Sequence, residues 1–309
     1  MSLKLLRTTL IGSALLLFVN GADAQVVQLT PEQYAQAKAN GTLPAEYHVD
    51  YPVQAPITPA LSKNPKRNNG VPKGGGVNGD CNCWIEPDSS YTLAMQPNDD
   101  FSSAAITTPF QFNLYGDLYN TLYINNNGNI SFQSPYGTFS ATPFPNSQFI
   151  MVAPFWADVD TRGEDFLGLN GGQVLYKVTA TALYVNWVDV GYYSGQTDLK
   201  NSFQLIITDG TDPVIGVGKN VSFCYLDMDW TTGAASQGVG GFGGIPAVVG
   251  ANRGNSVDYI QFGTFDQPGV AYDGPFNNPD GVDWLDNQNF VFTTAVSTQN
   301  IPPIASSTF

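Results

Sequence analysis

The stretch MVAPFWADVDTR, residues 151 to 162, carries the strongest fold information in this chain. Seven apolar residues run directly into a segment with two carboxylates and an arginine. A short apolar run of this length is typical of a buried β-strand. If the strand stays extended to its end, alternation places Asp158, Asp160 and Arg162 on one face. The opposite face then carries three apolar residues, Phe155, Ala157 and Val159.

A second informative stretch lies upstream, where residues 122 to 132 read LYINNNGNISF. Two alternating runs are joined by Asn126, Asn127 and Gly128. Asn and Gly tolerate a positive φ better than other residues, so these three residues predict the turn of a β-hairpin. We expect a positive φ at Asn127 or Gly128.

Together the two stretches resemble the NIDO (nidogen-like) extracellular domain, over roughly Tyr91 to Ala295. The resemblance implies a secreted, β-rich module of adhesion or of the extracellular matrix. Residues 81 to 100, CNCWIEPDSSYTLAMQPNDD, and the C-terminal tail further resemble exported proteins of the Bacteroidota. In those proteins such a module often heads a longer chain, so further domains of a parent chain are expected.

The N-terminus has the pattern of a secretory signal peptide. Lys4 and Arg7 precede an apolar run at residues 10 to 19, and Ala22-Asp23-Ala24 fits the small-x-small cleavage rule. We predict a signal peptide over residues 1–24. Elsewhere no run reaches the roughly 18 apolar residues that a membrane span requires, so no span is expected in the mature chain.

Residues 25–80 are predicted to form a short helix followed by an irregular linker. Thr30 is a candidate N-cap, with Pro31 at the first helical position and Gln33 closing a capping box, and Gly41 ends the helix. From Tyr51 to Asp80 the chain is rich in Pro, Gly, Asn and Lys, which is typical of a linker. The β module is assigned to residues 81–296, and residues 297–309 to a linker-like tail.

Composition supports an exported β protein and argues against some partners. Charged residues make up 12% and aromatic residues 13%, and 32 Gly with 21 Pro supply many turns. The formal charge is −14, from 12 basic and 26 acidic residues. A surface this acidic repels phosphate backbones, so nucleic acid is excluded as a partner and an extracellular protein or glycan is favoured.

Short strands alternate with turn signals, which predicts an all-β, two-sheet antiparallel sandwich. The predicted strands are Thr108–Leu114, Thr121–Ile124, Asn129–Phe132, Phe149–Trp156, Gln173–Val178, Ala182–Val190, Ser202–Thr208, Val221–Leu226, Tyr259–Phe262 and Phe290–Thr294. In Ala182–Val190 the dry face is expected to carry Leu183, Val185, Trp187 and Asp189. The predicted core aromatics are Phe110, Phe112, Phe132, Phe155, Trp187, Phe203 and Phe223.

Three cysteines, Cys81, Cys83 and Cys224, stand in a chain that we expect to be oxidised. Cys81 and Cys83 are too few for a zinc site, and the single histidine, His48, lies far away in the sequence. We expect one disulfide from Cys224 to Cys83 or to Cys81. Three unpaired thiols are the alternative.

The carboxylates of Asp158 and Asp160 allow two interpretations. Arg162 can grip a carboxylate through two parallel hydrogen bonds, which predicts a local ion-pair cluster. The other interpretation is a calcium site. The spacing of Asp158 and Asp160 resembles the start of an EF-hand loop. Arg162 stands at position five, however, and Leu169 stands at position twelve, where an EF-hand has a bidentate Glu, so the segment is not an EF-hand. A looser cage of oxygen ligands around Asp158 and Asp160 is the form of calcium site that these residues still allow. Further aspartate pairs carry the same ambiguity, namely Asp227 with Asp229, and Asp280 with Asp283 and Asp286.

The sequence favours a binding module over an enzyme. One histidine, placed in the linker, excludes histidine-based nucleophile and metal-hydrolase arrangements. We therefore predict a non-catalytic protein. The alternative is a carbohydrate-binding or glycoside-hydrolysing sandwich that uses Asp158 and Asp160 together with three aromatic platforms, Trp156, Trp187 and Tyr192.

Overall fold

The computed structural model describes residues 27–44, 47–49, 83–163, 171–276 and 280–295. The predicted signal peptide, the predicted linker over residues 51–80, the tail and Cys81 lie outside the described residues. In the described part of the chain, no helix combines the length and the apolar character needed to cross a membrane.

The chain divides into two compact units, of which the first is Met1–Val53. Its elements are β1 (Val27–Leu29), α1 (Pro31–Ala39) and β2 (Tyr47–Val49), and β1 pairs in parallel with β2. Thr30 caps the helix through the backbone amide of Gln33, and the Gln33 side chain returns a bond to Thr30. The predicted capping box is therefore present. Gly41, with a φ of 64°, follows the helix end.

The second unit, Gln54–Phe309, holds two seven-stranded sheets. Its strands are β3 (Thr92–Leu93), β4 (Ile106–Leu114), β5 (Asp117–Asn125), β6 (Asn129–Ser131), β7 (Met151–Trp156), β8 (Val159–Asp160), β9 (Gln173–Val178), β10 (Ala182–Tyr192), β11 (Gln196–Thr208), β12 (Val221–Met228), β13 (Ala247–Asn252), β14 (Tyr259–Gln267), β15 (Asp280–Gly281) and β16 (Asn289–Phe292). Short 3₁₀ turns occupy Pro213–Ile215, Ala234–Ser236 and Val282–Leu285.

The first sheet has the order β15-β14-β13-β7-β6-β5-β4, and the second has the order β16-β12-β11-β10-β9-β3, with β8 paired to β10. Neighbouring strands are antiparallel except β14 and β15, which run in parallel. The predicted all-β sandwich is confirmed, and this short parallel pair is its one departure from a fully antiparallel pattern among the described strands.

The main core lies between the sheets and contains all seven predicted core aromatics. A smaller core on the outer face of the first sheet gathers Phe144, Phe149, Trp156 and Tyr259 with their neighbours. The strand β7 contributes to both cores, and all six of its residues are buried. A strand covered on both faces reads as a continuous apolar run, which is the pattern of residues 151–156.

Asp189 does not lie on the dry face of β10, contrary to the sequence expectation. The pairing register shifts after Trp187, and Asp189 has a φ of 50°. Such a bulge changes the face to which the following side chains point. Val190 therefore takes the next core position, while Asp189 is half-buried and accepts a hydrogen bond from the hydroxyl of Ser202 at 3.0 Å.

The segment from residue 83 to residue 95 lies against the second sheet. A disulfide joins Cys83 to Cys224, which decides between the alternatives left open by the sequence. The Ile85 carbonyl accepts hydrogen bonds from the side chains of Gln204 at 2.8 Å and Asn186 at 3.2 Å. The disulfide and these two hydrogen bonds thus fix the N-terminal segment of the module to the middle of its second sheet.

Candidate functional site

The two informative stretches of the sequence meet in space around a loop at residues 98–101. Asn126, which is fully buried, donates its side-chain amide to three carbonyl oxygens. These belong to Asn98 at 3.2 Å, to Val159 at 2.8 Å and to Asp99. The hairpin turn is therefore a buried polar joint that fixes the loop to the segment following β7.

Asn127 and Gly128 complete this joint in different ways. The Asn127 side chain donates to Asp100 Oδ1 at 2.7 Å and accepts from the Val159 amide at 3.0 Å. The predicted turn is present, but the positive φ falls at Gly128 alone among its three residues, with a value of 73°. A Cβ at Gly128 would lie 1.8 Å from the Phe155 carbonyl oxygen, so glycine is also required by close packing.

The chain passes from one sheet to the other just after β7. That strand ends at Trp156 in the first sheet, and β8 pairs with β10 of the second sheet. Three apolar side chains enter the main core along this passage, as expected, namely Phe155, Ala157 and Val159. The intervening Asp158 and Asp160 are nevertheless buried, with 1% and 0% of their surface exposed.

Asp160 and Arg162 form a bidentate ion pair. Arg162 Nε lies 3.0 Å from Asp160 Oδ1, and Nη2 lies 2.8 Å from Oδ2. The same carboxylate accepts the backbone amides of Arg162 and Gly195, each at 2.9 Å. Asp160 is thus committed to internal bonds, as the ion-pair interpretation requires.

Asp158 belongs to a different group, which sequence reasoning missed. One carboxylate oxygen from each of Asp99, Asp100 and Asp158 lies within 4.8 Å of the others, and we call these three residues the acidic triad. Arg162 Nη2 also reaches Asp99 Oδ2 at 3.1 Å. The available signal was Pro97-Asn98-Asp99-Asp100, where two adjacent carboxylates follow turn-forming residues.

The electrostatics of this region are dominated by negative charge. Burial raises the pKa of Asp100 well above its usual value, and the charge of Asp158 raises it further. Tyr193 lies beside the triad, and burial followed by the charges of Asp99 and Asp158 raises its pKa to about 12. A proton or a cation held among the carboxylates would relieve this repulsion.

The other predicted functional residues are placed differently. The three proposed aromatic platforms are buried, with exposures of 0% for Trp156, 0% for Trp187 and 3% for Tyr192. Their aromatic rings pack in the cores, which confirms the core position predicted for Trp187 and contradicts the surface platforms of the carbohydrate alternative. Among the described residues, the acidic triad is the one group of three potential metal ligands that converges within 4.8 Å, so the aspartate pairs at Asp227 and Asp280 do not form a second such group.

Comparison with known proteins decides the family. The sequence model described as NIDO related matches residues 84–293, which is more than half of the chain. The chain belongs to the NIDO related family. The matched region runs through the whole sandwich, from the segment that carries the disulfide to the last described strand.

Alpha-tectorin and nidogen are among the relatives of this NIDO related chain. Alpha-tectorin of Homo sapiens is 32% identical over 185 residues, which cover 52% of this chain and 8% of that protein. Alpha-tectorin of Gallus gallus is 36% identical over the same length and the same shares. Nidogen of Drosophila melanogaster is 25% identical over 172 residues, which cover 48% of this chain and 12% of that protein.

The chain therefore spans about a tenth of the length of these relatives. No solved structure matches it. Alpha-tectorin and nidogen are extracellular matrix proteins, and the NIDO related chain is accordingly extracellular.

Proposed function

We propose that this chain is a secreted, non-catalytic module of adhesion or extracellular-matrix interaction. The observation that carries the proposal is the NIDO related match, which covers residues 84–293 and so includes nearly all of the described sandwich. Relatives that share this region are named alpha-tectorin and nidogen. In this chain, the sandwich of two seven-stranded sheets is a rigid scaffold on which surface loops can contact a partner.

The described side chains favour binding over hydrolysis. A glycoside hydrolase needs an acid and a second carboxylate that both reach the sugar. Asp158 and Asp160 are buried, and Asp160 is fixed by Arg162 and by the Gly195 amide. The proposed sugar platforms Trp156, Trp187 and Tyr192 are buried as well. These observations weigh against the carbohydrate alternative.

Parallel arrays of purified extracellular matrix proteins and of glycans test the proposal. Binding to one or more matrix proteins, with no glycan retained and no sugar released from oligosaccharide substrates, is the expected result. Saturable glycan binding or glycosidic cleavage that is lost in Asp158→Asn would overturn it in favour of the carbohydrate alternative.

We further infer that the acidic triad binds calcium as a structural ion. Calcium takes six to eight oxygen ligands in irregular cages, and the triad offers three converging carboxylates. The ligand set differs from the one expected from sequence, since Asp99 and Asp100 join Asp158 while Asp160 pairs with Arg162. An ion here would tie the loop at residues 98–101 to the crossing between the sheets.

Melting curves in chelator and in millimolar calcium test this second proposal. Wild-type protein should gain about 2.7 kcal/mol when calcium is a hundredfold above its dissociation constant. The gain should disappear in Asp158→Asn and persist in Asp209→Asn, whose carboxylate lies in an exposed turn. A wild-type melting temperature that does not move with calcium would remove the support for a calcium site.

A further inference from the structure

The helix α1 ends in a Schellman motif that is built around an Asn-Gly pair. Asn40 is the C-cap residue, and Gly41 follows it with a φ of 64°. The Gly41 amide donates to the Lys38 carbonyl at 3.1 Å. The Thr42 amide donates to the Ala37 carbonyl at 2.8 Å, which completes the motif. The backbone bonds that close this helix therefore depend on the linkage between Asn40 and Gly41.

An Asn-Gly pair can modify itself. The glycine nitrogen attacks the side-chain amide carbon of the asparagine, a new N–C bond forms, and ammonia leaves with the proton of the glycine amide. Water then opens the resulting succinimide ring at either carbonyl, which gives aspartate or isoaspartate. A side chain on the second residue would hinder the attack, and glycine has none. The reaction needs no reactant other than water.

The Asn-Gly pair at the end of α1 is open to this reaction. Asn40 and Gly41 are both exposed, and within the described residues the Asn40 side chain forms no hydrogen bond. No heavy atom lies within 4 Å of the place that a Cβ on Gly41 would take. The helix has nine residues, and the last turn of so short a helix opens readily. Opening that turn frees the Gly41 nitrogen for the attack.

The hairpin turn of the sandwich contains the same dipeptide in a protected form. Two of the six Asn-Gly pairs in the sequence lie wholly within the described residues, and the second is Asn127-Gly128. Asn127 is 1% exposed, and its side chain is held by Asp100 at 2.7 Å and by the Val159 amide at 3.0 Å. Its amide carbon cannot turn towards the Gly128 nitrogen unless these buried bonds break. The fold therefore exposes one Asn-Gly pair and protects the other.

We propose that Asn40 is a site of spontaneous deamidation, and that its conversion loosens the first unit of this extracellular chain. Aspartate at this position places a negative charge at the C-terminal end of a helix, where the helix dipole is already negative. Isoaspartate adds a methylene group to the main chain, which displaces the amides of Gly41 and Thr42 from their carbonyl acceptors. Both products therefore destabilise α1.

Tyr34 reports whether the helix is intact. Its side chain is 1% exposed, and its ring centroid lies 5.8 Å from that of Tyr47 in β2. Chymotrypsin cleaves after tyrosine, and it requires a segment that opens locally. Cleavage after Tyr34 should therefore be slow in fresh protein and faster once Asn40 has been converted.

Ageing of the full chain at mildly alkaline pH, followed by peptide mapping with mass spectrometry, tests the modification at each pair separately. In the folded protein Asn40 should convert at least about tenfold faster than Asn127, because Asn127 reacts only after its buried hydrogen bonds break. In urea the two residues should convert at similar rates. A folded-state rate at Asn40 that does not exceed the rate at Asn127 overturns the proposed site. A difference that persists unchanged in urea also overturns it, because the sequence and not the fold would then set the rates.

Asn40→Gln is the matched variant for the effect on the helix. It keeps a side-chain amide, but the longer side chain cyclises far more slowly. Before ageing, wild type and variant should be cleaved after Tyr34 at the same rate. After ageing, wild type should be cleaved at least roughly two- to fivefold faster, the factor that an unfavourable charge at a helix terminus contributes. Equal cleavage of the two aged proteins, with Asn40 converted in the wild type, overturns the loosening of the first unit.

Discussion

Replacing Gly128 with alanine is expected to destabilise the second unit strongly. Gly128 has a φ of 73°, and a left-handed conformation costs an alanine roughly 1–2 kcal/mol. The added Cβ would also lie 1.8 Å from the Phe155 carbonyl oxygen and 3.2 Å from Phe203 Cζ. Relieving such an overlap in a packed core typically costs about 1–3 kcal/mol. The expected loss in the free energy of unfolding is therefore about 2–5 kcal/mol.

The matched control is Gly116→Ala. Gly116 has a φ of 98° but no heavy atom within 4 Å of an added Cβ. This variant therefore carries a backbone cost without the overlap. Urea unfolding of the oxidised wild type and of both variants measures the difference. The comparison requires that the free energy of unfolding falls with urea concentration at the same slope in all three proteins. If Gly128→Ala is no less stable than Gly116→Ala, the close approach of the turn to Phe155 is refuted as the reason for a glycine at this position.

Three further predictions concern the disulfide, the ion pair and the buried carboxyls. The bond from Cys83 to Cys224 spans 141 residues, so replacing both cysteines with alanine should cost about 4–5 kcal/mol in the chain-entropy model; peptide mapping without reduction should recover the linked pair, and finding both thiols free would contradict it. Asp160→Asn should destabilise the protein by about 2 kcal/mol in chelator and in calcium alike, because partly exposed Arg162 loses its bidentate carboxylate partner in both and keeps only its contact with Asp99; a loss seen in one condition alone would argue against the ion-pair role. The raised pKa values of Asp280 and Asp286, about 7 and about 8, mean that the folded state holds these protons more tightly than the unfolded state. Their stabilising contribution is complete below the usual aspartate pKa and is lost as pH rises towards 8, so the free energy of unfolding should fall between about pH 5 and pH 8, and Asp286→Asn should flatten that slope; an equal slope in the variant would contradict the assignment.

Local patterns were sufficient to predict most of the sandwich. Alternation and turn residues identified ten strands that the structure contains, with bounds that differ by up to six residues, at the start of β11. The strand β13 was missed because its apolar run is short and interrupted by Gly250. The two-residue strands β3, β8 and β15 are too short to give a periodic signal. Each of these strands is defined by its neighbours in the sheets more than by its own sequence.

The candidate site could be predicted in part. The pairing of Asp160 with Arg162 is local, because the residues are two positions apart on one segment. The contribution of Asp99 and Asp100 depends on Asn126 and Asn127, which fix the loop from a hairpin more than 20 residues away. Burial of Trp156 and Trp187 likewise depends on layers formed by distant segments. Such contacts have no signature in one sequence.

Calcium titration by isothermal calorimetry tests the acidic triad most directly, because it counts ions and does not depend on stability. The triad predicts that wild-type protein binds one calcium ion per chain, and that Asp158→Asn loses this binding while Asp209→Asn keeps it. Titration at two salt concentrations separates a specific site from the general attraction of an acidic surface for cations. No heat of binding in the wild type, or equal binding in wild type and folded Asp158→Asn, would contradict the assignment of the triad as a cation site.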